Sequence, residues 1–288
     1  MLVITDKRCI EYASAGHPER PARITRTLEA LHRQTSLPIA WAAPLTVDDA
    51  TLLRAHSSKL VEQLQHPTAD LDHDTPAHPG IYGHALRSVG GALRAMHAAR
   101  QGQSSFSLLR PPGHHATADR AMGFCYLNSM AIAALEALEH GVRRIAVLDF
   151  DVHHGNGTED ILIEHPHAAC YSIHQHPCYP GTGEANVGSN CFNYPVPPHL
   201  PRTDYRRVLE KAFNDLKEFR PHLVGISAGF DAYVRDTIAE GALEAEDFHW
   251  LGQLVRRLEI PAFSILEGGY SEALPELVLA YMEGLEGS

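Results

Sequence analysis

Short apolar runs alternate along this chain with longer stretches of helical period. Five runs read as strands: 105–109 (SFSLL), 144–149 (RIAVLD), 169–174 (ACYSIH), 223–227 (LVGIS) and 262–266 (AFSIL). Each is brief, apolar and bounded by Gly, Pro or polar residues, as strands buried on both faces of a parallel sheet should be. Helical patterns fall near 21–33, 82–101, 125–140, 157–164, 203–219, 244–258 and 271–284. Pro21 opens the first in the favoured first-turn position. Thr203-Asp204, ahead of 205–219, and Ser271 read as N-caps. The alternation predicts an α/β fold of three layers, a mostly parallel sheet with helices on both faces. The stretch 175–202, with its Pro and Gly, reads as loop-rich and lacks the charge run of a linker. No internal repeat or low-complexity tract interrupts the pattern, so residues 1–288 are expected to form one domain.

Composition narrows the picture. A chain of 288 residues, 44% hydrophobic and 20% charged, buries a large core without covalent staples. Its 24 Lys and Arg against 35 Asp and Glu give a net charge of −11. That argues against a general nucleic-acid binder, which carries a basic excess, and leans towards a cationic ligand. The five cysteines are odd in number and form no CxxC, so they read as reduced thiols of a cytosolic protein. The opening residues reach Asp6 and Lys7 after a short apolar run, which is no signal-peptide core. No run is long enough to cross a membrane, so a cytoplasmic location without a membrane partner is expected.

The polar residues are not scattered. In open parallel sheets ligands bind beyond the carboxyl ends of the strands. Here Arg110-Pro111-Pro112-Gly113-His114-His115 follows one strand, and Asp149-Phe150-Asp151-Val152-His153-His154-Gly155-Asn156 ends and follows another. Gly229-Phe230-Asp231 and Glu267-Gly268-Gly269-Tyr270 follow two more. Asp151 and His153 stand two apart, so both can reach one ion from an extended segment, and Asp231 can supply a third ligand. Carboxylate and imidazole donors without thiolate suit Zn²⁺, and also Fe²⁺, Mn²⁺ or Co²⁺. Three protein ligands leave positions for water and substrate, which is the catalytic pattern. The bland alternative for D-x-D-x-H is a solvated turn, and the other polar groups at the same edge weigh against it. The adjacent pair His114-His115 needs partners to set its tautomers; Asp149 and Asn156 are suitable, and a carboxylate on one ring with an amide on the other would separate their pKa values. The histidines at 165, 167, 174 and 176 show no metal-like spacing and read as packing or surface residues. Gly155-Asn156-Gly157 lacks the Lys of a phosphate loop and reads as a tight turn.

Together these segments resemble the histone deacetylase family, which includes acetylpolyamine deacetylases. The matching text is HPERPARI (17–24), RPPGHHA (110–116), GFCYLN (123–128), LDFDVHHGNGT (148–158), SIH (172–174), YPGTG (179–183), SAGFDA (227–232) and LEGGY (266–270). The HHGNG wording is similar to class II and bacterial members; class I members carry Asp in place of Asn156. The resemblance implies the arginase–deacetylase fold and zinc-dependent hydrolysis of an N-acyl, chiefly N-acetyl, amide on a lysine-like or polyamine amine. It implies Asp151, His153 and Asp231 as zinc ligands, His115 as general base and later acid, and His114 as its electrostatic partner. Asp149 and Asn156 would stand behind the two histidines, and Tyr270 would hydrogen-bond the scissile carbonyl. Phe124 and Tyr179, with Gly123 beside them, would wall a narrow tunnel, and Asp74 would sit at its rim. Backbone oxygens around Asp149, Asp151 and His153, with Ser172, resemble the family's potassium site. Polyamine-selective relatives carry a tunnel-mouth Glu where this chain has Ile238. Two other readings stand beside this one: a catalytically silent module that captures acylated ligands, and a two-metal hydrolase of the arginase type.

Overall fold

Leu223–Ala228 and Ile145–Asp149 are buried at every position. A continuous apolar run of this kind is stable only where helices cover both faces of a sheet. In the computed structural model, which describes residues 1–287, the strands are β1 (Leu2–Ile4), β2 (Ala40–Ala42), β3 (Ser105–Ser107), β4 (Ile145–Asp149), β5 (Ala168–Gln175), β6 (Cys191–Val196), β7 (Leu223–Ala228) and β8 (Ala262–Leu266). They form one sheet in the order β2-β1-β3-β8-β7-β4-β5-β6, and every pairing is parallel. The helices are α1 (Ala22–Arg33), α2 (Asp49–Leu52), α3 (Ser58–Gln65), α4 (Ile81–Arg100), α5 (Ser129–Glu139), α6 (Asn156–Leu162), α7 (Arg202–Glu218), α8 (Ala245–Arg256) and α9 (Leu274–Glu286). The result is the three-layer α/β arrangement of the arginase–deacetylase fold. α1 and α8 pack on α9, while α4 packs on α5, β3 and β8. No helix among the described residues is long and apolar enough to cross a membrane.

The structure adds three strands to the five that the sequence pattern predicts. β1 and β2 are three residues each, and β2 is an edge with Ala40 and Trp41 exposed. β6 lies within the loop-rich stretch 175–202, where the pattern predicts no strand. It is the other edge, alternates buried and less buried positions, and contains Pro195. Proline is tolerated in a strand only at such an edge. Two helix starts also differ. α7 begins at Arg202 after Pro201, so Thr203 and Asp204 lie inside its first turn. α9 begins at Leu274, because the Ser271 N–H is held by Asp236 (3.0 Å). α5 starts at Ser129 rather than 125, because the Asn128 side chain caps it by accepting from the Ala131 N–H (2.9 Å).

Candidate active site

Five adjacent central strands, β3, β8, β7, β4 and β5, deliver their carboxyl ends to one place. In-register pairing puts Asp149 at the end of β4 level with Ser172 on β5 and Ser227 on β7, where the apolar runs give way to polar loops. The turns after β4, β7, β8 and β3 carry Asp151 and His153, Asp231, Tyr270, and His114 with His115.

Asp151, His153 and Asp231 come together. Their donor atoms lie within 4.8 Å of one another, and all three residues are buried. His153 Nδ1 is 3.1 Å from Asp151 Oδ1 and 3.2 Å from Asp231 Oδ2. Burial pushes the Asp231 carboxyl up to about 7, with the neighbouring Asp151 charge adding to it. Burial acts on Asp151 in the same sense, but His114 and His153 outweigh it and hold that carboxyl below its ordinary range. Gly268 closes the cluster from β8. Its N–H donates to Asp151 Oδ2 (2.7 Å), and a Cβ there would stand 2.1 Å from Asp231 Oδ2. The backbone has been kept bare at the point where the two carboxylates converge. Two buried carboxylates and one imidazole facing a common point form a donor set that fits a borderline dication.

The two histidines stand side by side, ring centroids 3.9 Å apart. His114 Nδ1 is 2.9 Å from Asp149 Oδ2, and His115 Nδ1 is 2.8 Å from Asn156 Oδ1. In each case Nδ1–H donates to the oxygen, leaving Nε2 towards the cavity. Burial disfavours the charged form of both rings. For His114 the Asp151 and Asp149 carboxylates reverse this and raise the pKa to about 10. For His115, burial together with the His114 and His153 charges outweighs the opposing pull of Asp151 and Asn156 and lowers the pKa well below its ordinary value. The amide and the carboxylate thus separate the two pKa values.

A cavity of about 180 Å³ leads to these groups, and Asp74, Gly123, Phe124, Tyr179, Ile238 and Tyr270 line it together with His114, His115 and His153. Phe124 and Tyr270 meet edge-on at 5.7 Å, and Tyr179 meets His115 at 5.1 Å. Phe124 has φ of +67°, a backbone region that non-glycine residues rarely occupy, held by Thr75 Oγ1 accepting from its N–H (3.1 Å). Asp74 Oδ1 accepts from the Gly123 N–H (3.2 Å), which ties the rim to this wall. Ser172 Oγ lies 2.9 Å from His174 Nδ1 and accepts from the Gly155 N–H (3.3 Å). His174 is buried, and His165 and His167 form a ring pair elsewhere; neither enters a donor cluster among the described residues.

Residues 17–285 match the family model described as the histone deacetylase domain. The chain belongs to the histone deacetylase family. Among deacetylase-family relatives, it is 39% identical to a probable deacetylase of Methanothermobacter thermautotrophicus over 94% of this chain and 86% of that one. It is 35% identical to the histone deacetylase-like amidohydrolase of Pseudomonas aeruginosa, covering 96% of this chain and 78% of the relative. The crystal structure of an acetylpolyamine aminohydrolase from Burkholderia pseudomallei superposes with a TM-score of 0.90 at 27% identity, covering 99% of this chain and 98% of that one.

This deacetylase-family site also uses residues that the strand-end motifs do not single out. Glu267 Oε2 accepts from the N–H groups of Gly113 (2.7 Å) and His114 (3.2 Å), and Oε1 accepts from Ser227 Oγ (3.2 Å), fixing the loop that carries the histidines. Arg23 lies 4.8 Å from the centroid of the Tyr270 ring and donates to the carbonyls of Gly269 (2.8 Å) and Glu267. Behind it, fully buried Arg110 pairs with Glu19, which also contacts Arg23 (3.3 Å). Glu267 stands in LEGGY, and Glu19 and Arg23 stand in HPERPARI, so their positions were visible while their partners, largely backbone groups, were not.

Proposed function

We propose that this chain acts as one deacetylase domain that hydrolyses an N-acyl, chiefly N-acetyl, amide on a lysine-like or polyamine amine with one Zn²⁺ per chain. The observation that carries this reading is the joint placement of the Asp151–His153–Asp231 donor set, the two unlike histidines and Tyr270 around one narrow cavity. The names of the relatives, probable deacetylase and histone deacetylase-like amidohydrolase, support the same class.

Asp151, His153 and Asp231 would hold the ion. When bound there, Zn²⁺ supplies Lewis acidity, which polarises a carbonyl and lowers the pKa of a water. Phe124 and Tyr179 would sandwich the aliphatic arm of the substrate and exclude bulk water, and Asp74 would hold the rim. The Tyr270 hydroxyl would donate to the scissile carbonyl oxygen and hold the negative charge that develops there. His115 is the proton acceptor: its Nδ1–H is committed to Asn156, burial keeps it neutral, and Nε2 would take the proton of the attacking water. His114, kept charged by Asp151 and Asp149, would stabilise the developing charge and favour return of the proton to the leaving amine. Acetate and a free amine are the products. Backbone oxygens near Asp149, Asp151 and His153, together with Ser172 Oγ, are assigned to a K⁺ ion that would brace the same loops. We assign the protein to the cytoplasm and name no nucleic-acid or membrane partner.

The test is turnover by the zinc-loaded protein on acetyl-lysine and N-acetylputrescine, with ion stoichiometry measured in parallel. One zinc per chain, turnover of at least one substrate and a loss of about 10²–10³-fold in kcat for Tyr270→Phe are expected. Zinc binding without turnover would favour the silent binding module, and two catalytic ions per chain would favour the arginase-type reading.

A further inference from the structure

A second cavity, of about 520 Å³, opens beside the tunnel. Three loops wall it: the segment before α1, the segment after β7 and the segment after β8. His17, Arg20, Arg235, Tyr270, Ser271 and Glu272 are among its lining residues. Tyr270 lines both cavities, so the second one lies directly beside the tunnel.

Two guanidinium groups, those of Arg20 and Arg235, line this cavity. Arg20 pairs with Glu272 at 2.5 Å, but Glu272 is shared with Arg26. Arg235 donates to the Tyr233 hydroxyl but reaches the Glu244 carboxylate only at 3.8 Å, beyond hydrogen-bond length, and its side chain is 72% exposed. Arg235 thus has no carboxylate at hydrogen-bond length, although the Glu244 and Glu276 charges act on it. His17 has its ring nitrogens committed to the Glu19 backbone (3.1 Å to the N–H) and to the Asp74 carbonyl (3.2 Å). Ser271 supplies a second, independent sign. It is 9% exposed, its backbone N–H is taken by Asp236, and its hydroxyl is buried with no hydrogen-bond partner. A buried unpaired hydroxyl is unfavourable unless a ligand satisfies it. A guanidinium with unsatisfied donors beside a free hydroxyl matches a carboxylate, the anion that Arg binds with the best geometry. At the tunnel mouth Ile238 is apolar, so no carboxylate at that position attracts a polycation.

We propose that this cavity receives a substrate carboxylate, so that the preferred substrate is an acylated α,ω-diamino acid, free or at the end of a peptide, rather than an acetylpolyamine. With the acylated arm in the tunnel, the α-carbon stands at the mouth and its carboxylate one bond away, within reach of Arg235, Arg20 and the Ser271 hydroxyl. A polyamine offers only methylenes and an ammonium at that place. This inference rests on the deacylase reading, and it assigns the specificity of that site.

The test uses the zinc-loaded protein and two molecules that differ only in the relevant charge: Nα-acetyl-Nε-acetyllysine and its N-methylamide. The free acid is expected to be preferred about tenfold in kcat/KM, mostly through KM, as a partly exposed charge-assisted contact would give. N-acetylputrescine is expected to rank below both. Arg235→Ala should bring the acid-to-amide ratio towards one. Arg235→Lys should keep part of it, and Arg235→Glu should invert it in favour of N-acetylputrescine. A merely structural role for Arg235 would lower all substrates together and leave the ratio intact. Peptides with acetyllysine at the C-terminus or in mid-chain separate the two sources of carboxylate. Equilibrium titration of the same ligands into zinc-loaded His115→Ala protein reads the preference without turnover. Tighter binding of the acid, lost in Arg235→Glu, supports the carboxylate site even if no substrate is hydrolysed. Equal binding and equal kcat/KM for acid and amide overturn it, while turnover of both leaves the deacylase reading standing.

Discussion

Asp236 spends both carboxylate oxygens on backbone N–H groups: Oδ2 accepts from Tyr270 (2.7 Å) and Ser271 (3.0 Å), and Oδ1 from Thr237 (2.7 Å) and Ile238 (3.2 Å). One side chain thus locks the loop bearing Tyr270 to the loop bearing Ile238, both of which line the tunnel. Asp236→Asn turns one acceptor into a donor aimed at two N–H groups. Each group left unpaired costs about 1–3 kcal/mol. A displacement of Tyr270 by even 1 Å costs up to about 10²-fold in rate. The expected outcome is a fall of about 10–100-fold in kcat/KM with a loss of about 2 kcal/mol in stability, read from steady-state kinetics and urea titration. An unchanged kcat/KM would show that Tyr270 is held by other groups. This residue also marks the limit of reading single positions from sequence. The convergence of Asp151, His153 and Asp231 was legible because a donor set of carboxylates and imidazole needs specific side chains at related strand ends. Asp236 and Glu267 act on backbone N–H groups, which every residue possesses, so no partner residue type betrays them.

At the scale of elements, the segment between α2 and α3 is joined to the start of α5 by one imidazole. The Asn128 N–H donates to His56 Nε2 (2.8 Å), so His56 carries its proton on Nδ1 and donates it to the Thr117 carbonyl (2.9 Å). Asn128 is the residue that caps α5. Burial holds His56 in its neutral form and lowers its pKa to about 4, against the opposing pull of the Thr117 and Ala118 backbone. The unfolded chain, with a His near 6.5, binds the proton first as pH falls. Stability is therefore fully present above about 6.5 and is lost as pH drops towards 4, by on the order of 3 kcal/mol. His56→Gln keeps a donor and an acceptor but does not titrate. Its urea midpoint at pH 7 is expected to be lower than that of the wild type, and its decline between pH 7 and pH 5 shallower. Parallel declines would place the acid sensitivity elsewhere. The elements themselves were legible to unequal degrees. The buried central strands announce themselves as apolar runs, because both faces are covered. β1 and β2 are too short to show a period, and β6 carries a proline and an alternating pattern that only its place at the sheet edge explains. Helix starts shifted where tertiary hydrogen bonds, such as Asp236 to Ser271, claimed the groups that a cap would have used.

At the scale of the whole molecule, the sheet concentrates charge where a fold least tolerates it. Asp149, Asp151, Asp231 and Glu267 are all buried around the carboxyl ends of adjacent strands, and burial acts on each of them to disfavour the ionised form. Charges removed from water are costly unless paired. His114 and His153 offset part of this cluster, and the Asp151–His153–Asp231 arrangement leaves the Asp151 and Asp231 carboxylates close to each other. A dication held by them would therefore act on the fold as well as on the chemistry, because a ligand bound only by the folded state stabilises it by mass action. Zinc at about a hundred times its Kd should add about 2.7 kcal/mol, which for a chain of this size raises Tm by several degrees. Chelation should reverse the gain. Asp231→Asn separates this account from general ion effects: its metal-free form is expected to melt above the metal-free wild type at pH 8, because one of two facing charges is gone, while its increment with zinc collapses. Calorimetry of both proteins with and without chelator measures the four values. A metal-free Asp231→Asn protein that melts below the wild type would mean that packing around Asp231, rather than repulsion between carboxylates, sets the stability of this end of the sheet.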